Sequence, residues 1–321
     1  MATKNGKCIL CQEEKILNLE HVPPQGVGNK GGKHTITGNL EAFQSWDFSK
    51  NGLPRDIKRQ PKGNAYFTLC IECNSKLGGE YVKHYVDFAI DNKAFLYRTK
   101  HIRNFNQSRL THSIKGINPL RVSKEIVAMF FSINGSEDDK DDEFLDSVRD
   151  YIKEPKNSSF PKDRYKIIMN YYYPVSTHLI KEINIANDMV ANDRTHNYIR
   201  PFVQHDLQGG GKIKYSEIQY EGIGLTLIDL KNSNFEINIG FDLEKFLTSS
   251  DKPKKIHLYN VPVITPTSTS MMEKVLDFPV EDVGADLLLR DQRIINYIKT
   301  LNAIERKNLR KKLDNLRLQA I

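Results

Sequence analysis

"NLEHVPPQG" (18–26) sets a carboxylate, Glu20, beside an imidazole, His21, just ahead of two prolines. Adjacent side chains on a strand leave from opposite faces. Both groups can therefore serve one site only where the strand ends or twists, and Pro23-Pro24 impose such an ending. All four cysteines of the chain bracket this stretch. "CILC" (Cys8, Cys11) lies upstream and "CIECN" (Cys70, Cys73, Asn74) downstream, with 58 residues between the two pairs.

A C-x-x-C pair presents two thiolates to one ion, and two such pairs close a tetrahedral shell with no open position. In a chain that starts "MATKNGK", without the apolar core of a secretory signal, the thiols are expected to be reduced and metal-bound rather than paired as disulfides. The expected ion is a structural Zn²⁺. It would tie the N-terminal segment to the start of a later helix. No apolar run approaches the roughly 20 residues that span a bilayer, so the expectation is a cytoplasmic protein with no membrane association. The net charge of +7 is concentrated: residues 1–125 carry 20 Lys and Arg against 11 Asp and Glu, and the rest sums to −2. A basic half of this kind fits a phosphate backbone, and it also fits a merely solubilising surface.

Along the chain, residues 1–90 read as a small loop-rich unit that a metal clip would staple. After a break at Gly78-Gly79, apolar positions 82, 85, 86, 89 and 90 predict a helix. "SKEIVAMFFSING" (123–135) predicts a second, opened by a Ser cap and closed by Asn-Gly. "DEFLDSVRDYIKEP" predicts a third, ended by Pro155. From 164 to 262, "RYKIIMNYYYPV", "KIKYSEIQYEGIGLTLIDL" and "FEINIGFDL" predict strands of an antiparallel sheet, with Gly209–Gly211 in a hairpin loop rather than a phosphate cradle. The segment from Leu287 predicts a basic helix with near-heptad Ile and Leu, able to pack on the domain, form a homodimer or lie along nucleic acid. The predicted fold class is α+β, divided into a zinc-stapled unit over 1–115 and an α+β domain over 116–321 with an antiparallel sheet and terminal helices. The histidines at 178, 196, 205 and 257 show no metal spacing.

The order C-x-x-C, Glu-His-hydrophobic-Pro, C-x-x-C-Asn resembles the HNH (ββα-metal) endonuclease family in its zinc-stapled form, over residues 8–80. The resemblance implies an N-terminal ββα-metal nuclease unit that hydrolyses phosphodiester bonds of DNA, RNA not being excluded. It implies His21 as the general base, Glu20 as a ligand of a catalytic Mg²⁺ or Mn²⁺, and Asn74, at a place where the family usually has His, as a second ligand. The family's loop-orienting asparagine corresponds to Asn64, with Asn39 as an alternative. Glu80 and His84, four apart on a helix, are another source of the ligand. A role in restriction or antiviral defence, under control of a regulatory partner, is also what the resemblance implies. Lys30, Lys33, Arg55, Lys58, Arg59 and Lys62, several beside glycine, are the candidate DNA-backbone contacts. Trp46 reads as a core residue of the small unit. The competing expectation is a zinc-stapled nucleic-acid-binding module without catalysis.

Overall fold

The computed structural model describes residues 3–30, 36–37, 58–59, 62–99, 109–136, 140–172, 198–206, 212–231 and 240–264. The expected helix from Leu287, Trp46, Asn39, Lys33, Arg55 and Gly209–Gly211 lie outside them. Of Lys58 and Arg59 the backbone alone is described.

Strand β1 (Thr3–Lys7) pairs antiparallel with β2 (Glu14–His21). A short ladder joins β3 (Ile36–Thr37) to β4 (Lys58–Arg59). Strand β5 (Ala65–Cys70) pairs antiparallel with β2 and completes a three-stranded sheet in the order β1-β2-β5. It runs directly into α1 (Ile71–Leu77), with Cys70 as both the last strand residue and the helix cap. The break expected at Gly78-Gly79 does not occur. The two glycines begin a single wide turn, Gly78–Val82, of i→i+5 type, and α2 (Lys83–Thr99) follows without interruption. The extra residue in that turn moves the buried face. Tyr81, Tyr85 and Phe88 point into the core and Tyr81 donates its hydroxyl to Ile152 O at 2.7 Å, while Ile90, expected on the apolar face, is 53% exposed.

Strand β6 (Arg109–Ile117) leads to α3 (Pro119–Ile133). This helix begins four residues before the expected Ser cap. Asn118 caps it by accepting from Arg121 N, and Pro119 occupies the first turn, where its missing N–H is harmless. Ser123 is instead fully buried, its hydroxyl donating to Leu120 O at 2.9 Å. Apart from Arg121, every residue of α3 is buried, which makes it the central helix of the molecule. Helix α4 (Asp142–Lys153) is capped by Asp141 and ends before Pro155, as its pattern predicts.

The larger sheet is built from β6, β7 (Tyr165–Tyr172), β8 (Tyr198–Asp206), β9 (Lys212–Tyr220), β10 (Ile223–Asp229), β11 (Phe241–Asp242) and β12 (Lys254–Ile264). A one-turn helix, α5 (Glu244–Leu247), separates the last two strands. The order is β6-β12-β7-β10-β9-β8, with β11 also against β7. Among the described residues its pairings are antiparallel, as expected, except that Val263 and Ile264 of β12 run parallel to Tyr171 and Tyr172. The β9–β10 hairpin turns on Glu221 and Gly222, both at positive φ, the conformation a two-residue turn between twisted strands requires.

One cluster of buried residues runs from Cys8 to Val261, so the small sheet and the larger one share a core. The residue 115/116 boundary falls inside β6. Just past the end of α3, Gly135 packs against the cysteine-bearing loop: a Cβ there would lie 2.5 Å from Ile9 Cδ1 and 2.8 Å from Phe131 O of α3. Gly135→Ala is therefore expected to destabilise the protein by about 1–3 kcal/mol through overpacking, measured by urea unfolding; unchanged stability would show that Ile9 moves aside freely.

Candidate metal centre and the strand end beside it

The β1–β2 loop and the β5–α1 turn bring the cysteines together. Backbone bonds Cys8 N to Glu13 O (2.9 Å) and Gln12 N to Cys8 O (2.8 Å) fold the first pair into a tight knuckle, and Ile9 N to Thr68 O (3.0 Å) ties it to β5. At the second pair, Cys70 N donates to Cys8 Sγ at 3.3 Å and Cys73 N to Cys70 Sγ at 3.5 Å. N–H groups aimed at sulfur favour thiolates. All four Sγ atoms lie within 4.8 Å of one another, a set able to hold one metal ion. None is in a disulfide. Cys8 and Cys70 are buried, and Cys11 and Cys73 are half-buried. Without a cation, burial and then the neighbouring Cys70 sulfur push the Cys73 thiol well up; a bound cation reverses that balance. Helix α4 braces the knuckle, since Arg149 Nε donates to Ile9 O at 3.1 Å.

Glu20 and His21 leave β2 on opposite faces. Glu20 turns inward toward α3, where its Oε2 accepts from the Ser132 hydroxyl and from Thr68 Oγ1 (3.4 Å). Its Oε1 has no hydrogen-bond partner among the described residues. Burial pushes this carboxyl up to about 7, against the pull of the two hydroxyls. Glu125, on the buried α3, is pushed up to about 8 by burial and then by the charge of Glu20.

His21 sits half-buried on the other face, its Nε2 3.1 Å from Lys62 O and 2.9 Å from the Gln25 amide nitrogen. Nε2 cannot both donate to the Lys62 carbonyl and accept from the Gln25 amide N–H. Turning the Gln25 amide over gives an Nε2 proton two oxygen acceptors and places the ring's lone pair on Nδ1. Burial lowers the pKa of His21, with the Lys62 carbonyl opposing.

Asn74 on α1 reaches back to β2, its Nδ2 donating to Asn18 Oδ1 (3.0 Å) and Leu19 O (3.5 Å). Because the Leu19 carbonyl can only accept, the Asn74 oxygen faces away, and it has no partner among the described residues. Asn64 contributes backbone rather than side chain: Val22 N donates to its carbonyl, and its N–H donates to Asn29 Oδ1 at 3.0 Å. Asn29, 2% exposed, also donates to Pro23 O (2.7 Å) and Asn64 O (2.9 Å). Asn29 is thus the residue that fixes the loop after His21. The sequence reading missed it, and the one signal available was an asparagine directly after Gly28, which has positive φ.

Lys30 and Lys62, exposed, flank this loop. Glu80 is taken by Arg121, which also holds Asp251 at 2.6 Å, and the pKa of His84 is lowered by burial and then by Arg121. A cation at Glu80 and His84 would meet that guanidinium. Of the later histidines, His257 bonds Ser113 Oγ at 2.7 Å, while 178, 196 and the side chain of 205 lie outside the described residues.

No family model, curated protein or solved structure matches the chain. Among the described residues, no helix is long and apolar enough to cross a membrane.

Glu20 and Glu125 have folded pKa values raised above the unfolded one. Their contribution to stability is complete below about 4.5 and is lost as pH rises through about 7 and about 8. In buffer without added Mg²⁺ or Mn²⁺, the melting temperature is expected to fall between about pH 5 and pH 8, and Glu125→Gln to flatten that fall. Parallel curves for the two proteins would mean that Glu125 is not charged at a cost on folding.

Proposed function

We propose that the chain is a metal-dependent endonuclease of the HNH (ββα-metal) type acting on DNA. One observation carries the reading: antiparallel β2 and β5 run into α1, a sulfur cluster clamps the unit, and Asn74 of the helix bonds back to the strand that ends in Glu20-His21.

Cys8, Cys11, Cys70 and Cys73 hold a structural Zn²⁺ in this reading. Zn–S bonds of about 2.3 Å set tetrahedral sulfurs about 3.8 Å apart, close to the 4.0 Å between Cys11 Sγ and Cys70 Sγ. With four ligands the ion has no place for water, and its role is mechanical.

Glu20 Oε1 and Asn74 Oδ1, oxygens without partners among the described residues, would hold Mg²⁺ or Mn²⁺, which prefer oxygen ligands. When bound, such an ion neutralises charge on the phosphate and on the departing 3′ oxygen. His21 is the base. The Lys62 carbonyl holds its Nε2 proton, so Nδ1 is free to take a proton from water. The lowered pKa keeps the ring neutral at pH 7. Lys30 and Lys62 contact the DNA backbone, and the α+β body beyond β6 supplies specificity or control.

The alternative, a zinc-stapled nucleic-acid-binding module without catalysis, is favoured by the opposite facing of Glu20 and His21 on β2 and by the hydroxyls that already engage the carboxylate.

Plasmid cleavage with Mg²⁺ or Mn²⁺ decides between them. His21→Ala is expected to lower the rate at least about 100-fold with zinc content and melting unchanged, and the wild-type rate to rise with pH through a midpoint below the ordinary histidine value of 6.5. Cleavage that survives His21→Ala removes the nuclease reading, and no cleavage in either metal favours the binding module. Cys70→Ser is expected to lose the zinc and several kcal/mol of stability, because structural metal binding contributes directly to folding; one retained zinc per chain with unchanged melting would contradict it.

A further inference from the structure

The β6–β12 pair presents an outer face that the nuclease reading leaves unused. Ile114, Ile256 and Leu258 turn into the core, while Thr111, Ser113, Lys115, Lys255, His257 and Tyr259 are exposed. Ser113 and His257 are register partners across the ladder, and the Ser113 hydroxyl bonds His257 Nδ1 at 2.7 Å, which fixes the ring. The held imidazole stacks on Tyr259, with centroids 5.3 Å and planes 14° apart. Tyr259 is 58% exposed, the most open large apolar side chain among the described residues.

We infer that this face binds single-stranded DNA, with a base stacking on Tyr259 and phosphates lying against Lys115 and Lys255. An aromatic ring held flat in water offers a π-surface that any unpaired base can cover. In a duplex, neighbouring bases already cover both faces of each base. A protein partner would call for an apolar surround, whereas the neighbours of Tyr259 on this face are Ser, Thr, His and Lys. No carboxylate occupies an exposed position of either strand on this face, so nothing there repels a phosphate chain. The choice of DNA over RNA rests on the nuclease reading; the stacking and the charge do not.

The test is fluorescence anisotropy with a labelled oligo-dT, an oligo-rU and a DNA duplex of equal length, on the full chain without Mg²⁺ or Mn²⁺. Tyr259→Ala is expected to weaken oligo-dT binding about tenfold, and Tyr259→Phe to restore it. The double variant Lys115→Ala, Lys255→Ala is expected to reduce the slope of log affinity against log salt by about 1.4, and duplex binding to be indifferent to Tyr259→Ala. These side chains are exposed, so melting temperatures should match the wild type. Oligo-dT binding that ignores Tyr259→Ala, or no oligo-dT binding at all, overturns the inference, and tighter binding of oligo-rU overturns its choice of DNA. Tyr259-dependent binding with uncut plasmids keeps this inference and removes the nuclease reading; cleavage with Tyr259-independent binding does the reverse.

Discussion

Cys70 N bonded to Cys8 Sγ and Ile9 N bonded to Thr68 O join two segments some sixty residues apart, and at that junction four sulfur atoms lie within 4.8 Å of one another. The small sheet has three strands, and its buried residues Leu17 and Leu69, with Val22 just after β2, belong to the same core as the larger sheet. A metal ion on the four thiols would add a clamp to that shared core. The contact between the β1–β2 loop and the β5–α1 turn falls at Cys70, the cap of α1, and so bears on which residue of α1 faces β2. That residue is Asn74. The long connection between β2 and β5, which includes β3 and β4, is then a closed loop whose ends cannot drift apart.

The second constraint is α3. A helix buried on every side can be accommodated only where sheet and helices surround it, and α3 touches β5, α2, α4, α5 and β8. It supplies Ser132 to Glu20 and, through Gly135, the tight seat for Ile9. The unit that carries the four cysteines is therefore not an appendage. Its acidic residue is held by a hydroxyl of the central helix, and its knuckle is braced by Arg149 of α4, so the larger body takes part in shaping the strand end that carries the candidate chemistry.

What was legible in the sequence follows from what is local. The two C-x-x-C pairs, the strand ending at Pro23-Pro24 and the α4 pattern closed by Pro155 each act over a few residues, and each appears where the spacing places it. The start of α3 was legible too, in Asn118-Pro119, but a serine four residues later looked like the better cap because nothing local says that Ser123 is buried. The wide turn at Gly78 accompanies the bond from the Tyr81 hydroxyl to Ile152 O, a contact across 71 residues. The partners of Glu20 lie 48 and 112 residues away. No periodicity encodes such a distance, and so the direction of that side chain, on which the reading of the site turns, could not be taken from the sequence.

Burial has opposite consequences for the two residues that opened the sequence. It raises the carboxyl of Glu20 and lowers the imidazole of His21, because in both cases it penalises the charged form. Near neutral pH the strand end can thus fold with neither group fully ionised, and it needs no counter-charge to do so. An acid that keeps its proton and a base that has lost its own are the two halves of proton-transfer chemistry set apart by environment alone. For Glu20 to act as an anion at neutral pH, a positive charge near its carboxylate would have to lower its pKa again, and Oε1, which has no hydrogen-bond partner among the described residues, is the oxygen open to it. Among the described residues no lysine or arginine contacts Glu20, so none of them supplies that charge.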